Sequence, residues 1–574
     1  MSGIFEIIYV VAVVLLMFGA AIFIHEFGHF WVALKRGLKV EEFAIGFGPV
    51  VWSKEKDGIL YSIRAIPAGG FVKLPQMLTS EAIEGKADDE DTEEGGGEKE
   101  PEEPLPPVSP LSKILVAFAG PFMNVVFALV IAIGLWILGI PKVVDDPVVG
   151  YVGQQSEEYQ LGVRPGHLIK TVNGEKVETW QDVNLAVLDS ADTGKKTVSV
   201  VFEENGKELE PKDLPADTWN GEIRHIRLEH RAKLIIQEVQ TDSVFASVGF
   251  EPGDVVQSVN GQTLYSHYQM VDLMMAADPA EKDVVVERGR GDDDKPGHKV
   301  TLKYTAPESA GVLVDSVPKP EHGTWDLMLS KVGKDLDELE DTPAMKAGMK
   351  KGDRILEANG HRITSSRQLV DIIRNYNEGA MPFVIQRDGV SMDLNGTPQD
   401  GRLGVALDDG VGIVFKPEVT VYSKEYAHPT PWQQFSDVFN KIAITFKALA
   451  SGSESGVGAK HLSGPVGIFG MLAIQVKQSP LLALSFLVLL NLNLAILNLL
   501  PVPVLDGGHI VMSVIEWIRK RPVSMKIQEY ATTAFALLLI TFFVYVTIAD
   551  VKRVPLLHEF FQRDTEVEQV ESGK

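Results

Sequence analysis

The chain has 574 residues, no cysteine and a formal net charge of −24. Its length calls for several folded units, and its acidic balance argues against general nucleic-acid binding, which leaves a basic footprint. Without cysteine there is no disulfide, thiolate nucleophile or cysteine-ligated centre, so any metal must be held by His, Asp, Glu or backbone oxygen.

Apolar residues gather toward both ends, with a long polar region between them. Residues 1–40 hold the first apolar stretch, about Ile4 to Ile24, which runs directly into His25-Glu26-Phe27-Gly28-His29. It lacks a basic leading segment and a small-residue cleavage site, so it is expected to be a retained anchor rather than a signal peptide. On a helix, residues four apart share a face. His25 and His29 can therefore address one metal, with Glu26 within reach of an intervening water as general base. The bland alternative is a chance pair of histidines on a core helix. In a membrane, however, two histidines and a glutamate are costly without a metal, water or partner. A proton path is the other reading of such residues.

Residues 41–78 are Gly-rich with β-type alternation and an Asp57-Gly58 turn signal, and are expected to form a membrane-associated β-rich loop. Residues 79–108 form an acidic, Gly-rich insertion expected to be disordered. Residues 109–141 contain the second crossing, about Ile114 to Ile140.

The middle of the chain repeats a pattern three times. Gly166-His167-Leu168-Ile169 leads to Asn173-Gly174, Gly253-Asp254-Val255-Val256 to Asn260-Gly261, and Gly352-Asp353-Arg354-Ile355 to Asn359-Gly360. Each copy supplies a turn, a short apolar strand and an Asn-Gly turn. These segments resemble PDZ domains, expected over 146–230, 231–305 and 306–410. The first copy departs from the pattern by placing His167 where the others have Asp254 and Asp353.

Residues 411–478 are expected as a linker and amphipathic segment. Residues 479–518 carry the third crossing, about Leu481 to Leu500, then a break at Pro501 and Pro503 before Leu505-Asp506-Gly507-Gly508-His509. Asp506 can supply the carboxylate of a two-His, one-carboxylate zinc site with water in the open position; its alternative is a cap on the broken helix. Residues 527–550 hold the fourth crossing, about Ala531 to Ile548, and 551–574 a polar tail. Lys35, Arg36 and Lys39 follow the first crossing, and Arg519, Lys520, Arg521 and Lys526 precede the fourth. The positive-inside tendency places both connections in the cytoplasm and the repeats outside. The histidines and Asp506 then fall at similar depth, near the cytoplasmic side.

The zinc motif, Gly46-Phe47-Gly48-Pro49, Pro67-Ala68-Gly69-Gly70, Gly120-Pro121-Phe122-Met123-Asn124, His461-Leu462-Ser463-Gly464-Pro465-Val466-Gly467-Ile468 and the Asp506 motif together resemble the site-2 protease family of intramembrane metalloproteases. Within it, the chain more closely resembles the bacterial regulator-of-sigma-E protease branch, with tandem PDZ domains. Three repeats, where two are common in this branch, and the acidic insertion are departures. The expected fold is a multi-pass α-helical membrane protein with four transmembrane helices, a membrane-associated β-rich segment and tandem PDZ-like α/β domains. The resemblance implies zinc held by His25, His29 and Asp506, with Glu26 and Asn498 as catalytic residues. It also implies inner-membrane residence amid lipid. The implied substrate is a single-pass membrane protein such as a pre-cleaved anti-sigma factor, or remnant signal peptides. A peptide-binding scaffold and a metal or proton transporter are the competing functions.

Overall fold

The computed structural model describes the chain apart from residues 1, 78–107, 219–222, 242–244, 277–280, 290–296, 306–310, 318–341, 400, 409–411, 417–420, 522 and 563–574. The acidic insertion lies almost wholly outside the described residues. Two compact units emerge. One combines residues 1–142, 423–449 and the helices after Val457; the other holds 143–422 and 450–456.

The first unit opens with α1 (Ser2–Lys35), then β1 (Glu42–Lys56), β2 (Ile59–Lys73) and α2 (Pro110–Leu138). Ser109 caps α2 by accepting the Ser112 N–H, and Pro110 stands in its first turn, where its missing N–H costs nothing. Residues 42–45 form a middle strand, paired with 60–63 on one side and 70–73 on the other. The segment 70–73 is therefore a sheet edge, with no further strand partner among the described residues. Asp57 and Gly58 both have positive φ, as a tight hairpin requires.

The second unit contains three β-rich cores. The first has β3 (Val149–Tyr151), β4 (Leu168–Val172), α3 (Trp180–Asp189), β5 (Thr197–Glu204), β6 (Lys212–Asp217) and β7 (Glu229–His230). The second has β8 (Ile236–Val239), β9 (Val255–Val259), α4 (His267–Met275), β10 (Glu281–Arg288) and β11 (His298–Thr305). The third has β12 (Val312–Ser316), β13 (Arg354–Ala358), α5 (Ser366–Asn375), β14 (Met381–Arg387), β15 (Val390–Gly396) and β16 (Ala406–Asp408). Each buries its own apolar cluster, around Phe202, Phe245 and Phe383 respectively.

In each core the first strand needs a partner on its outer edge. In the first and third it comes from the same repeat: β7 on β3, and β16 on β12. In the second, β8 pairs with β17 (Ile413–Phe415), which arrives only after the third repeat is complete. Ile413 and Phe415 pack against the second core. The third repeat is thus inserted into the second, and the stretch expected as a linker begins with a strand that closes an earlier sheet.

The His167 departure also has a structural reason. Asp254 accepts the Glu251 N–H and binds Arg288 through both oxygens at 2.9 and 2.8 Å. Asp353 accepts the Lys350 N–H and binds Arg387 at 2.6 and 2.7 Å. The registers Leu168↔Glu203, Val255↔Glu287 and Arg354↔Gln386 make Glu204 the counterpart of both arginines. His167 sits 3.7 Å from Glu204. The first repeat therefore places an imidazole beside a carboxylate where the others pair a carboxylate with a guanidinium. Burial holds the His167 pKa below its ordinary value, so this contact is not an ion pair with the charges exchanged.

Returning to the first unit, α6 (Pro431–Ser451), α7 (Pro465–Gln478), α8 (Pro480–Asn498), α9 (Asp506–Arg519) and α10 (Met525–Gln562) complete the chain. Val10, Val14, Met17 and Ala21 of α1 pack on Leu472 and Val476 of α7 and Leu487 of α8. Ala128, Ala132 and Leu135 of α2 pack on Val488 and Leu492 of α8. The spacing of three or four residues marks helix faces. Among the described residues, Phe5–Lys35, Pro110–Leu138, Pro480–Asn498 and Lys526–Val551 are long and apolar enough to cross a membrane.

Candidate metal centre

His25 and His29 lie one turn apart on α1, with their Nε2 atoms 3.2 Å from each other. Asp506, in the first turn of α9, reaches both: Oδ2 is 3.3 Å from His25 Nε2 and Oδ1 is 3.4 Å from His29 Nε2. The three donor atoms fall within 4.8 Å of one another.

The break after α8 is what delivers Asp506. Pro501 and Pro503 cannot donate backbone hydrogen bonds, and the chain turns through Val502 N–H to Leu500 O and Leu505 N–H to Val502 O. Gly507 and Gly508 let the new helix fold back on this turn; a Cβ at Gly508 would lie 2.6 Å from Pro503 Cα. A carboxylate in the first turn of α9 also faces the positive end of the helix dipole.

Helix α2 forms the opposite wall. Gly28 of α1 meets the Ala119 carbonyl of α2 so closely that any side chain there would collide. Gly120 lies against both imidazoles; its Cβ would stand 2.6 Å from His29 Cε1 and 2.9 Å from His25 Cε1. His29 Nδ1 is 2.8 Å from the Val116 carbonyl. A carbonyl only accepts, so Nδ1 carries the proton, and in the neutral ring Nε2 is left as a lone pair facing Asp506.

Of the remaining residues singled out from sequence, Asn498 at the end of α8 has its Nδ2 3.4 Å from His25 Nε2. Glu26 is half-buried beside the sheet edge: a Cβ at Gly70 would lie 3.1 Å from Glu26 Cγ. All five predicted residues thus come together within one unit. The sequence motifs assign α2 no role at the centre; the four-residue spacing of Val116, Gly120 and Asn124 is the signal that points to one.

Two imidazole nitrogens and one carboxylate, with His25 only 8% exposed, match the three-protein-ligand composition of catalytic zinc sites. The donor set therefore fits zinc, and a lone-pair nitrogen at His29 is what a ligand requires.

The profile of Peptidase family M50 matches residues 13–542. The chain belongs to that family. This M50 chain is 25% identical over 559 residues to Protease RseP of Yersinia pestis, covering 96% of this chain and 100% of the relative. It is 24% identical over 544 residues to the regulator of sigma-E protease RseP of Escherichia coli K12, covering 93% and 97%. A Vibrio cholerae relative whose name includes zinc metalloprotease is 25% identical over 520 residues, covering 89% and 91%. The resemblance to the site-2 protease family and its regulator-of-sigma-E branch is borne out. A PDZ domain protein from Parabacteroides distasonis matches 46% of this chain and 94% of its own at 10% identity, with a TM-score of 0.13 that carries no structural argument.

Proposed function

We propose that this chain is a zinc-dependent intramembrane endopeptidase of the bacterial inner membrane. The observation that carries the reading is the convergence of His25, His29 and Asp506 within 4.8 Å. These three residues would hold the metal. When bound, zinc supplies Lewis-acid polarisation of the scissile carbonyl and acidifies water.

The protein's own residues perform the rest. Glu26 takes the proton from the attacking water and passes it to the leaving amine. Asn498, beside His25, has an amide N–H suited to the oxygen of the tetrahedral state. A helical substrate hides its own carbonyls in hydrogen bonds and must unwind first. The edge at 70–73, next to Glu26, offers backbone groups to which an opened segment can add as a strand.

The first and third crossings run inward in this reading, putting the centre near the cytoplasmic face and the PDZ-like repeats outside. The substrate is a single-pass membrane protein, such as an anti-sigma factor already trimmed on the outer side. Remnant signal peptides are a second candidate class. The names of the relatives from Yersinia pestis and Escherichia coli support the sigma-E connection. The repeats act as a gate against untrimmed substrates.

The test is cleavage of a reconstituted single-pass substrate by parent and Glu26→Gln, with zinc content measured in the same samples. Zinc in both with product only from the parent is expected. Equal product from both would remove Glu26 from the mechanism. Zinc-independent peptide binding without cleavage would point instead to a scaffold, and ion flux without cleavage to a transporter.

A further inference from the structure

Asn124 is completely buried on α2, one turn beyond Gly120. Its Nδ2 lies 3.1 Å from His25 Nδ1, and its Oδ1 is buried with no hydrogen-bond partner. In that orientation Nδ2–H donates, so His25 Nδ1 is a lone pair and the neutral ring's proton sits on Nε2. That proton faces Asp506 Oδ2 at 3.3 Å. That proton serves Asp506 but also meets the Asn498 amide nitrogen, itself a donor, 3.4 Å away, and a protonated Nε2 cannot ligate.

His29 is held the other way, with its proton on Nδ1 toward the Val116 carbonyl. A half-turn of the Asn124 amide about Cβ–Cγ exchanges oxygen and nitrogen without changing shape or volume. It presents an acceptor to His25 Nδ1, draws the ring proton there and frees Nε2. Among the contacts of His25 Nδ1 in the described structure, Asn124 is the polar group able to do this.

We propose that Asn124 positions His25 for the metal by accepting its Nδ1–H through the amide oxygen. Val116, Gly120 and Asn124 are spaced four apart on one face of α2. That face then holds both imidazoles from behind: His29 through the Val116 carbonyl, His25 through Asn124, with Gly120 leaving room between. The proposal rests on the metal-centre reading above and adds a positioning residue to it. Hydrogen bonds to the outer nitrogen of a ligating histidine fix its tautomer and strengthen its basicity.

The experiment measures zinc affinity of the full-length protein in detergent, by competition with a chromophoric chelator. Asn124→Leu keeps the volume and removes the hydrogen bond, and is expected to weaken zinc binding roughly 10- to 100-fold. Asn124→Asp can only accept, and is expected to stay within about threefold of the parent. His25→Ala is expected to abolish binding.

If Asp fails as badly as Leu, the contact is made by the amide nitrogen and the proposal falls. If Leu binds like the parent, Asn124 does not position His25, while loss in His25→Ala leaves the metal centre standing. Parental affinity in His25→Ala would sink the metal-centre reading itself. Because a variant in a packed bundle can unfold, a second measurement uses the unmodified protein: the 15N-histidine NMR spectrum with zinc bound. An Nδ1-protonated His25 is expected, and an Nε2-protonated His25 would overturn the proposal.

Discussion

Lys113 at the start of α2 donates to Glu516 of α9 at 3.0 Å, joining the helix that backs the histidines to the helix that begins with Asp506. Both side chains are largely shielded, at 24% and 18% exposure. The pair therefore ties α9 to α2, and it is expected to help hold Asp506 within reach of the histidines. Glu516→Ala is expected to loosen zinc retention about fivefold, the equivalent of ~1 kcal/mol for a partly exposed pair. The exchange Lys113→Glu with Glu516→Lys should recover most of that loss. Chelator competition on the three variants measures it; an exchange variant no better than Glu516→Ala would show that the ion pair does not orient the helix.

Gly120→Ala is the smallest change that should close the centre. The added methyl would sit against the Cε1 atoms of His25 and His29, where no flexible chain end can give way. Either α2 moves away from α1 or the imidazoles turn aside. Zinc content should fall by at least tenfold while the helices remain, since Ala favours helix over Gly by up to ~1 kcal/mol. Metal analysis beside a circular-dichroism melt separates the two effects. Undiminished zinc would mean that α2 stands further from the histidines than it does here.

The contrast between these two residues and His25 explains what was legible beforehand. A spacing of four on one helix is local geometry, so His25, Glu26 and His29 could be read directly. Asp506 was readable because prolines and glycines mark a helix break wherever they occur. Val116, Gly120 and Asn124 lie on a different helix, and their role depends on the α1–α2 approach at Gly28, which no local pattern encodes. The same holds for the repeats. Their Asn-Gly turns were visible, and Asn173, Asn260 and Asn359 do have positive φ. Which strand closes β8 was not visible, because Phe415 joins Ile236 across an entire inserted repeat. Nor could His167 be matched to Glu204 until strand register made Glu204 the counterpart of Arg288 and Arg387.

Within the second unit, α5 of the third repeat turns one polar face toward the first. Arg367 pairs with Glu229 at 3.1 Å, Arg374 with Asp217, and Arg227 reaches Asn375 at 3.0 Å. Asp371 lies in the middle of that face, against Gly153. Burial pushes its carboxyl up to about 6; Arg367, Arg374 and Arg227 oppose the rise and Glu158 adds to it. An acid whose folded pKa is raised binds its proton more tightly when folded. Stability from this group is therefore full below about pH 4 and is lost as pH rises to about 6, amounting to ~3 kcal/mol for one buried acid. Asp371→Asn should be nearly as stable as the parent at pH 4 and more stable at pH 7. Denaturant melts at the two pH values, followed by a probe in the second unit, measure the gap. A gap that shrinks with rising pH would show that the arginines, not burial, control Asp371.

The insertion of the third repeat into the second makes a prediction about chain connectivity. A fragment of 231–305 contains the Phe245, Met270 and Val284 core but lacks β17. Its β8 would present a bare backbone edge, and Ile413 and Phe415 would no longer cover the core. The fragment 231–416 supplies both. It should melt cooperatively, whereas 231–305 should exchange its β8 and β9 amides freely or aggregate through the open edge. In the full chain, Phe415→Ala should lower hydrogen-exchange protection of the described residues of 234–259, far away in sequence, by about 1–2 kcal/mol, less than a fully buried aromatic would cost because Phe415 is only half-buried. The third core, built around Phe383 and Ile385, should keep its protection. Equal loss in both cores would mean that they unfold as one cooperative body. Loss confined to the third would mean that β17 belongs to it after all, and that the second repeat closes on some other strand.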